Sequence, residues 1–457
     1  MTARAPLGRL IPTAAVRAAY DRIAADGRPG IWIELIDQRQ ALAAAEVVEG
    51  RLAAGEDLAL AGLTAAVKGN IDVAGWATTA GCPDFGAVPA VSAPAVVALE
   101  RAGAVVVGIT NLDQFATGLV GTRSPHGICP NAFWPELISG GSSSGSAVAV
   151  AAGMVDLALG TDTAGSGRVP AAANGIVGLK PTRGAVSRAG VVPACRSLDC
   201  VSVFARTVEV ASAAFDALAL TVPDDADPWA ARPAPRDRGP LGRGIRIGAA
   251  PVERLSFDGD PDGAPRYWTM IDQLQQFGLD IEPVELAPFL AAGDLLYEGA
   301  FLAQRYEAVG HFVDAHRDRV DPVVGEIISA GARVTGWEVF RDLAELERLR
   351  SQAEPLWDRI DVLAVPTVPR LPTLAEVLDD PFGPNRMLGR YTNFVNMLDL
   401  CAFTLPMAEI TRATDRPADP SGVNASGPPP SLTFIAPAWS ESLLIDLATR
   451  VMAGPVA

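Results

Sequence analysis

Three residues stand out by type and setting: Lys68 at the end of the apolar run "LTAAVK", Ser142 in "GGSSSGS", and Ser166 in "GTDTAGSGR". A serine hydroxyl becomes a useful nucleophile only when a base takes its proton. Histidine often supplies that base, yet the chain has only His126, His311 and His316, none of them close to Ser166 in sequence. A lysine can serve instead if it is neutral. Near its reference pKa of about 10.4 it is protonated, but burial disfavours the charged form and frees the amine. The basic residues sharpen the point. Of 37 Lys and Arg, only Lys68 and Lys180 are lysine, in a chain that otherwise uses a guanidinium, which does not release its proton. A hydroxyl between amine and nucleophile can relay the proton, being both donor and acceptor. The turn Thr163-Ala164-Gly165-Ser166 offers successive backbone N–H groups, a natural oxyanion hole. Asp162 and Arg168 flank it and read as a structural ion pair.

These residues need a scaffold, and the apolar patterning describes one. An N-terminal helix is expected from near Thr13, within a helical segment spanning 1–60. The run around Lys68 is followed by helical spacing over 93–103 and a valine-dense strand over 104–111. An alanine-rich, all-round apolar helix over 145–155 then leads into a strand over 156–163. Further strands are expected over 245–251, 361–369 and in "SLTFIAP", with mostly helical text over 290–360. This alternation predicts an α/β fold, with a large mixed twisted sheet covered by helices on both faces. The Gly/Ser clusters fall at element ends inside that core, where backbone must approach something closely. Residues 222–243, rich in proline and charge, read as an exposed connection. We expect a single domain over 1–457, with a signature core over 61–210 and no separate C-terminal domain.

Composition excludes several functions. A net charge of −16 opposes binding to phosphate backbones, so no nucleic-acid partner is expected. No apolar run reaches the roughly 18 residues of a membrane span. The three histidines lack metal-ligand spacing, and neither metal nor cofactor is expected. Five cysteines without a CxxC pair suggest reduced thiols and a cytoplasmic protein. The segment around Ser166 lacks a full GxSxG elbow, and "GIVGLKPT" is not a P-loop.

With these residues in view, the text resembles the amidase signature family, most clearly over residues 63–205. That resemblance implies Ser166 as nucleophile, Ser142 as a bridging serine on a cis peptide bond, and Lys68 as base. Two positions depart from the family pattern: Ser144 replaces a common glycine, and Gly69 an acidic residue. Within the family, the stretches 110–127, 160–184 and 191–207 look most like allophanate hydrolases. In that branch a tyrosine and an arginine eight residues later bind the substrate carboxylate. The matching residues are Tyr297 and Arg305 in "YEGAFLAQRY". Two helical turns separate them, so both are expected on one helix face. By residue type alone, Tyr297 reads as core packing and Arg305 as a surface charge. The resemblance implies hydrolysis of allophanate, a small anionic amide. Related biuret or ureido amides, or an ammonia-channelling subunit of an amidotransferase, are the alternatives. A homodimer is compatible with the sequence, which does not fix the oligomeric state.

Overall fold

The computed structural model describes residues 11–219, 224–229, 244–407 and 428–454. Its centre is one sheet of eleven strands: β1 (Trp32–Leu35), β2 (Thr64–Lys68), β3 (Val105–Thr110), β4 (Leu157–Asp162), β5 (Val177–Lys180), β6 (Cys200–Ala205), β7 (Arg246–Ala249), β8 (Asp280–Pro283), β9 (Val362–Pro366), β10 (Cys401–Pro406) and β11 (Ser431–Ala436). Their spatial order is β1-β3-β2-β4-β6-β5-β10-β11-β9-β7-β8. The sheet is mixed. Parallel pairs join β3, β2 and β4 on one side and β8, β7 and β9 on the other, and antiparallel pairs fill the middle.

The central strands are buried on both faces, which is why they read as unbroken apolar runs. Ala65, Val67, Leu157, Leu159, Val201, Val203, Phe403 and Phe434 pack with the helices Pro94–Arg101, Val208–Leu218, Gly263–Gln276 and Glu441–Ala453. The residues between them face the other way. Ala66, Ala158 and Phe204 meet the helix Ser144–Ala151, while Ala402 and Ile435 meet the helices Ala287–Glu298 and Gly336–Ala353. The expected α/β fold with helices on both faces is therefore the one observed. Of the connection expected over 222–243, only 224–229 lies within the described residues. There Asp227 is buried and ion-paired with Arg188, whereas Asp225, Ala226, Pro228 and Trp229 are exposed, so this stretch is exposed as expected but anchored at one residue.

Among the described residues no helix is long and apolar enough to cross a membrane, and no cluster of His, Cys, Asp or Glu is gathered as a metal site.

Candidate active site

Parallel pairing of β2 with β4 sets Val67 opposite Leu159, so Lys68 and the turn after Asp162 emerge at the same end of the sheet. Lys68 has no solvent exposure. Its Nζ lies 2.8 Å from Ser142 Oγ and 2.7 Å from Thr161 Oγ1. No carboxylate forms an ion pair with it among the described residues. Burial pushes the amine down to about 7, against the opposing pull of Asp113, Asp162 and Asp199. The second lysine is different: Lys180 Nζ donates to the carbonyls of Pro181 and Leu400 at 2.8 and 2.7 Å, a purely structural arrangement.

Ser142 is held by its backbone. The Gly141–Ser142 peptide bond is cis, and the Ser142 carbonyl accepts the Asp113 N–H at 3.1 Å. A Cβ on Gly141 would fall 2.1 Å from Asp113 Oδ2, so only glycine fits there. The Asp113 carboxylate in turn receives the N–H groups of Val120, Gly121 and Arg123. Three other serines of the cluster bind backbone: Ser139 reaches the Cys129 carbonyl, Ser143 that of Thr161 and Ser146 that of Leu159, while the Ser144 hydroxyl has no hydrogen-bond partner among the described residues. The three stitch the cluster onto its neighbours.

The turn after β4 is braced from below. Arg168 grips Asp162 through Nε–Oδ2 at 2.9 Å and Nη2–Oδ1 at 2.8 Å, and both side chains have zero exposure. The flanking pair is thus the structural ion pair expected. Arg168 also donates to the Thr392 carbonyl and to Asn396 Oδ1, and Asn396 Nδ2 returns to the Asp162 carbonyl. Thr163 Oγ1 donates to Asp199 Oδ1 at 2.6 Å. Asp199 also accepts the N–H groups of Ala194 and Cys195, each at 3.0 Å, yet burial raises its pKa. Gly165 adopts φ +145°, and a Cβ there would meet Thr392 Oγ1 at 2.5 Å. Among the described residues, the backbone N–H groups of Thr163, Ala164, Gly165 and Ser166 donate to no acceptor. Ser166 is 3% exposed, and its hydroxyl makes no hydrogen bond with described residues. Lys68 and Ser142 are therefore joined by a direct bond, whereas Ser166 is not bonded to Ser142.

Tyr297 and Arg305 meet, but not as one helix face. Tyr297 lies in the last turn of Ala287–Glu298, and Arg305 in the first turn of Leu302–Ala315. The chain turns between them because Gly299 is extended and Asp342 Oδ2 takes the Ala300 N–H at 2.7 Å, in place of helical continuation. Arg305 Nη2 reaches Tyr297 Oη at 3.2 Å, with the guanidinium carbon 5.3 Å from the ring centre. Nη1 donates to Thr117 Oγ1 at 3.0 Å. Arg305 is 1% exposed, so it is no surface charge. Among the described residues it has no carboxylate partner, and its Nε has no hydrogen-bond partner.

Residue types alone did not point to Thr161, Asp113, Asp199, Thr117 or Asn396. Thr161, Asp113, Thr117 and Asp199 lie within stretches 110–127, 160–184 and 191–207 that already looked unusual, but their roles rest on tertiary contacts, and Asn396 lies in no such stretch. A cavity of about 540 Å³ lined by Phe257, Arg266, Tyr267 and Arg370 includes none of the candidate residues.

The chain is similar to several known proteins. The Amidase family model matches residues 14–445. The chain is 39% identical to urea amidolyase of Saccharomyces cerevisiae over 92% of its own length and 22% of the relative's. It therefore spans about a fifth of the length of that relative. It is 33% identical to a glutamyl-tRNA(Gln) amidotransferase subunit of Thermus thermophilus, covering 88% of each chain. Among solved structures, allophanate hydrolase of Kluyveromyces lactis superposes with a TM-score of 0.87 at 36% identity, covering 98% of this chain and 73% of the other.

Proposed function

Since the chain belongs to the amidase family and is a hydrolase of amide C–N bonds, we propose that its substrate is allophanate or a closely similar small amide bearing a carboxylate. The observation that carries this reading is Arg305: a fully buried guanidinium with an unpartnered Nε and no carboxylate in ion-pair contact, Asp199 acting on it only at longer range. A buried cation without a counter-ion is costly. A substrate carboxylate would supply the missing charge, and a guanidinium fork suits it. Because the protein is −16 overall, an anionic substrate depends on such a local cation.

In the proposed reaction Ser166 Oγ attacks the amide carbonyl while its proton passes through the Ser142 hydroxyl to neutral Lys68. The N–H groups of the 163–166 turn hold the oxyanion. Collapse of the tetrahedral intermediate breaks the C–N bond, and the proton held by Lys68 returns to the departing ammonia. Water then releases the acyl group, leaving N-carboxycarbamate, which loses carbon dioxide. Support for this route comes from the Lys68–Ser142 contact, the depressed lysine and the unsatisfied N–H groups.

The test is ammonia release by the isolated chain from allophanate, biuret, urea, malonamate and simple neutral amides. Strong preference for the carboxylate-bearing members supports the reading. Preference for neutral amides, or release only when a partner protein is added, refutes it.

A further inference from the structure

Asp199 holds Thr163, and the 183–199 segment that carries it is irregular between β5 and β6. The short stretch Asp224–Trp229 crosses this segment and fastens it. Asp227 and Arg188 form a two-pronged pair, Nη2–Oδ1 at 2.7 Å and Nε–Oδ2 at 3.0 Å, and the Arg188 N–H adds a third bond at 2.9 Å. Both side chains are nearly buried, at 5% and 7% exposure. The remaining prong, Nη1, turns toward the site: it donates to the Arg196 carbonyl at 2.5 Å and to the Asp199 carbonyl at 3.3 Å. Trp229 covers the pair, its ring 5.9 Å from the Arg188 guanidinium carbon and 5.2 Å from that of Arg183. The Trp229 N–H also binds Asp227 Oδ1 at 3.1 Å. Beneath the strap lies a cavity of about 290 Å³ bordered by Arg188, Asp199, Asp227 and Trp229. A continuous polar chain thus runs from Asp227 through Arg188 and the 196–199 turn to Asp199, and from there to Thr163.

We propose that Asp227 is a positioning residue for the oxyanion turn. It fixes Arg188, which fixes the 196–199 carbonyls, which set the Asp199 carboxylate against Thr163. No member of this chain beyond Thr163 needs to touch substrate. The inference rests on reading 163–166 as the oxyanion hole.

The test uses Asp227→Asn, Asp227→Glu, Thr163→Val and the double variant Asp227→Asn/Thr163→Val in the full chain. Removing an oxyanion donor outright costs about 10²–10³ in kcat, so loosening one from a distance should cost about tenfold. That loss should fall on kcat with KM within about twofold, and equally on anionic and neutral amides. Asp227→Glu should recover most of it. The double variant should be no slower than Thr163→Val alone, because both act through one path. Hydrogen exchange at the Ala194 and Cys195 amides, which donate to Asp199, should quicken in Asp227→Asn, and this readout requires no turnover. If no amide is cleaved, the chemical reading fails, while the exchange comparison still decides the clasp. Unchanged exchange, a loss that falls on KM, or losses that multiply in the double variant would overturn the proposal. Should Asp227→Asn not fold, Trp229→Leu, which uncovers the pair but leaves it charged, undergoes the same measurements.

Discussion

Arg168 and Arg305 are equally hidden from solvent, at 0% and 1% exposure, yet they stand in opposite chemical settings. Arg168, beside the 163–166 turn, meets a carboxylate with two prongs and gives its remaining contacts to a carbonyl and a side-chain amide. Arg305, at the corner between two helices, meets only two hydroxyls and keeps Nε unpartnered. A buried ion pair with every donor satisfied holds backbone in place. A buried cation without its anion is poised for one to arrive. The first therefore belongs to the scaffold of the turn, the second is the one we propose for recognition, and burial alone could not have separated them.

The strongest way to break this picture is at the proposed reacting groups, Ser166 and Lys68. Ser166→Ala should lower ammonia release by at least about 10³-fold while the far-UV spectrum and melting temperature stay near those of the parent. Activity within tenfold of the parent would remove Ser166 from its role. Lys68→Arg should be nearly as damaging as Lys68→Ala, since neither leaves a neutral amine beside Ser142. The parent's pH profile should show the same group. Because burial pushes Lys68 down to about 7, it is protonated below that pH and neutral above it. So kcat/KM should climb with pH to a plateau beyond about 7, and an acid limb centred well away from there would assign the base elsewhere.

The arginines themselves should part company on stability. Arg168→Leu leaves the Asp162 carboxylate buried and unpaired, a loss of about 3–5 kcal/mol in denaturant unfolding. Arg305→Gln removes a charge that has no partner, so its melting temperature should not fall by more than about 2 °C. Similar destabilisation by both would erase the contrast. Smallest of all should be Tyr297→Phe, which deletes one hydroxyl contact and should lower kcat/KM for an anionic amide by about three- to tenfold.

Much of the sheet and its helices was legible because both-face burial leaves long apolar runs and because glycine marks their ends. Lys68, Ser142 and Ser166 stood out since lysine is nearly absent and the serines lie among glycines. Other features were invisible for identifiable reasons. The helix break at Gly299 depends on Asp342, far along the chain, so the text from Tyr297 to Tyr306 read as one helix. The burial of Arg305 follows from tertiary packing that its own neighbours in sequence do not announce. Lys180 looked as special as Lys68, and only its two carbonyl partners show it to be structural. The docking of Asp227 was hidden in a stretch whose prolines and charges suggested exposure.

The claim that Arg305 awaits a carboxylate is tested by one pair of substrates. Malonamate and malonamide differ in the charge of one end and little in size. The parent should prefer malonamate in kcat/KM. Arg305→Gln should lose about 10- to 100-fold on malonamate while malonamide changes by no more than about threefold. Equal losses on both substrates would mean that Arg305 supports the site's geometry and reads no charge, contradicting the claim.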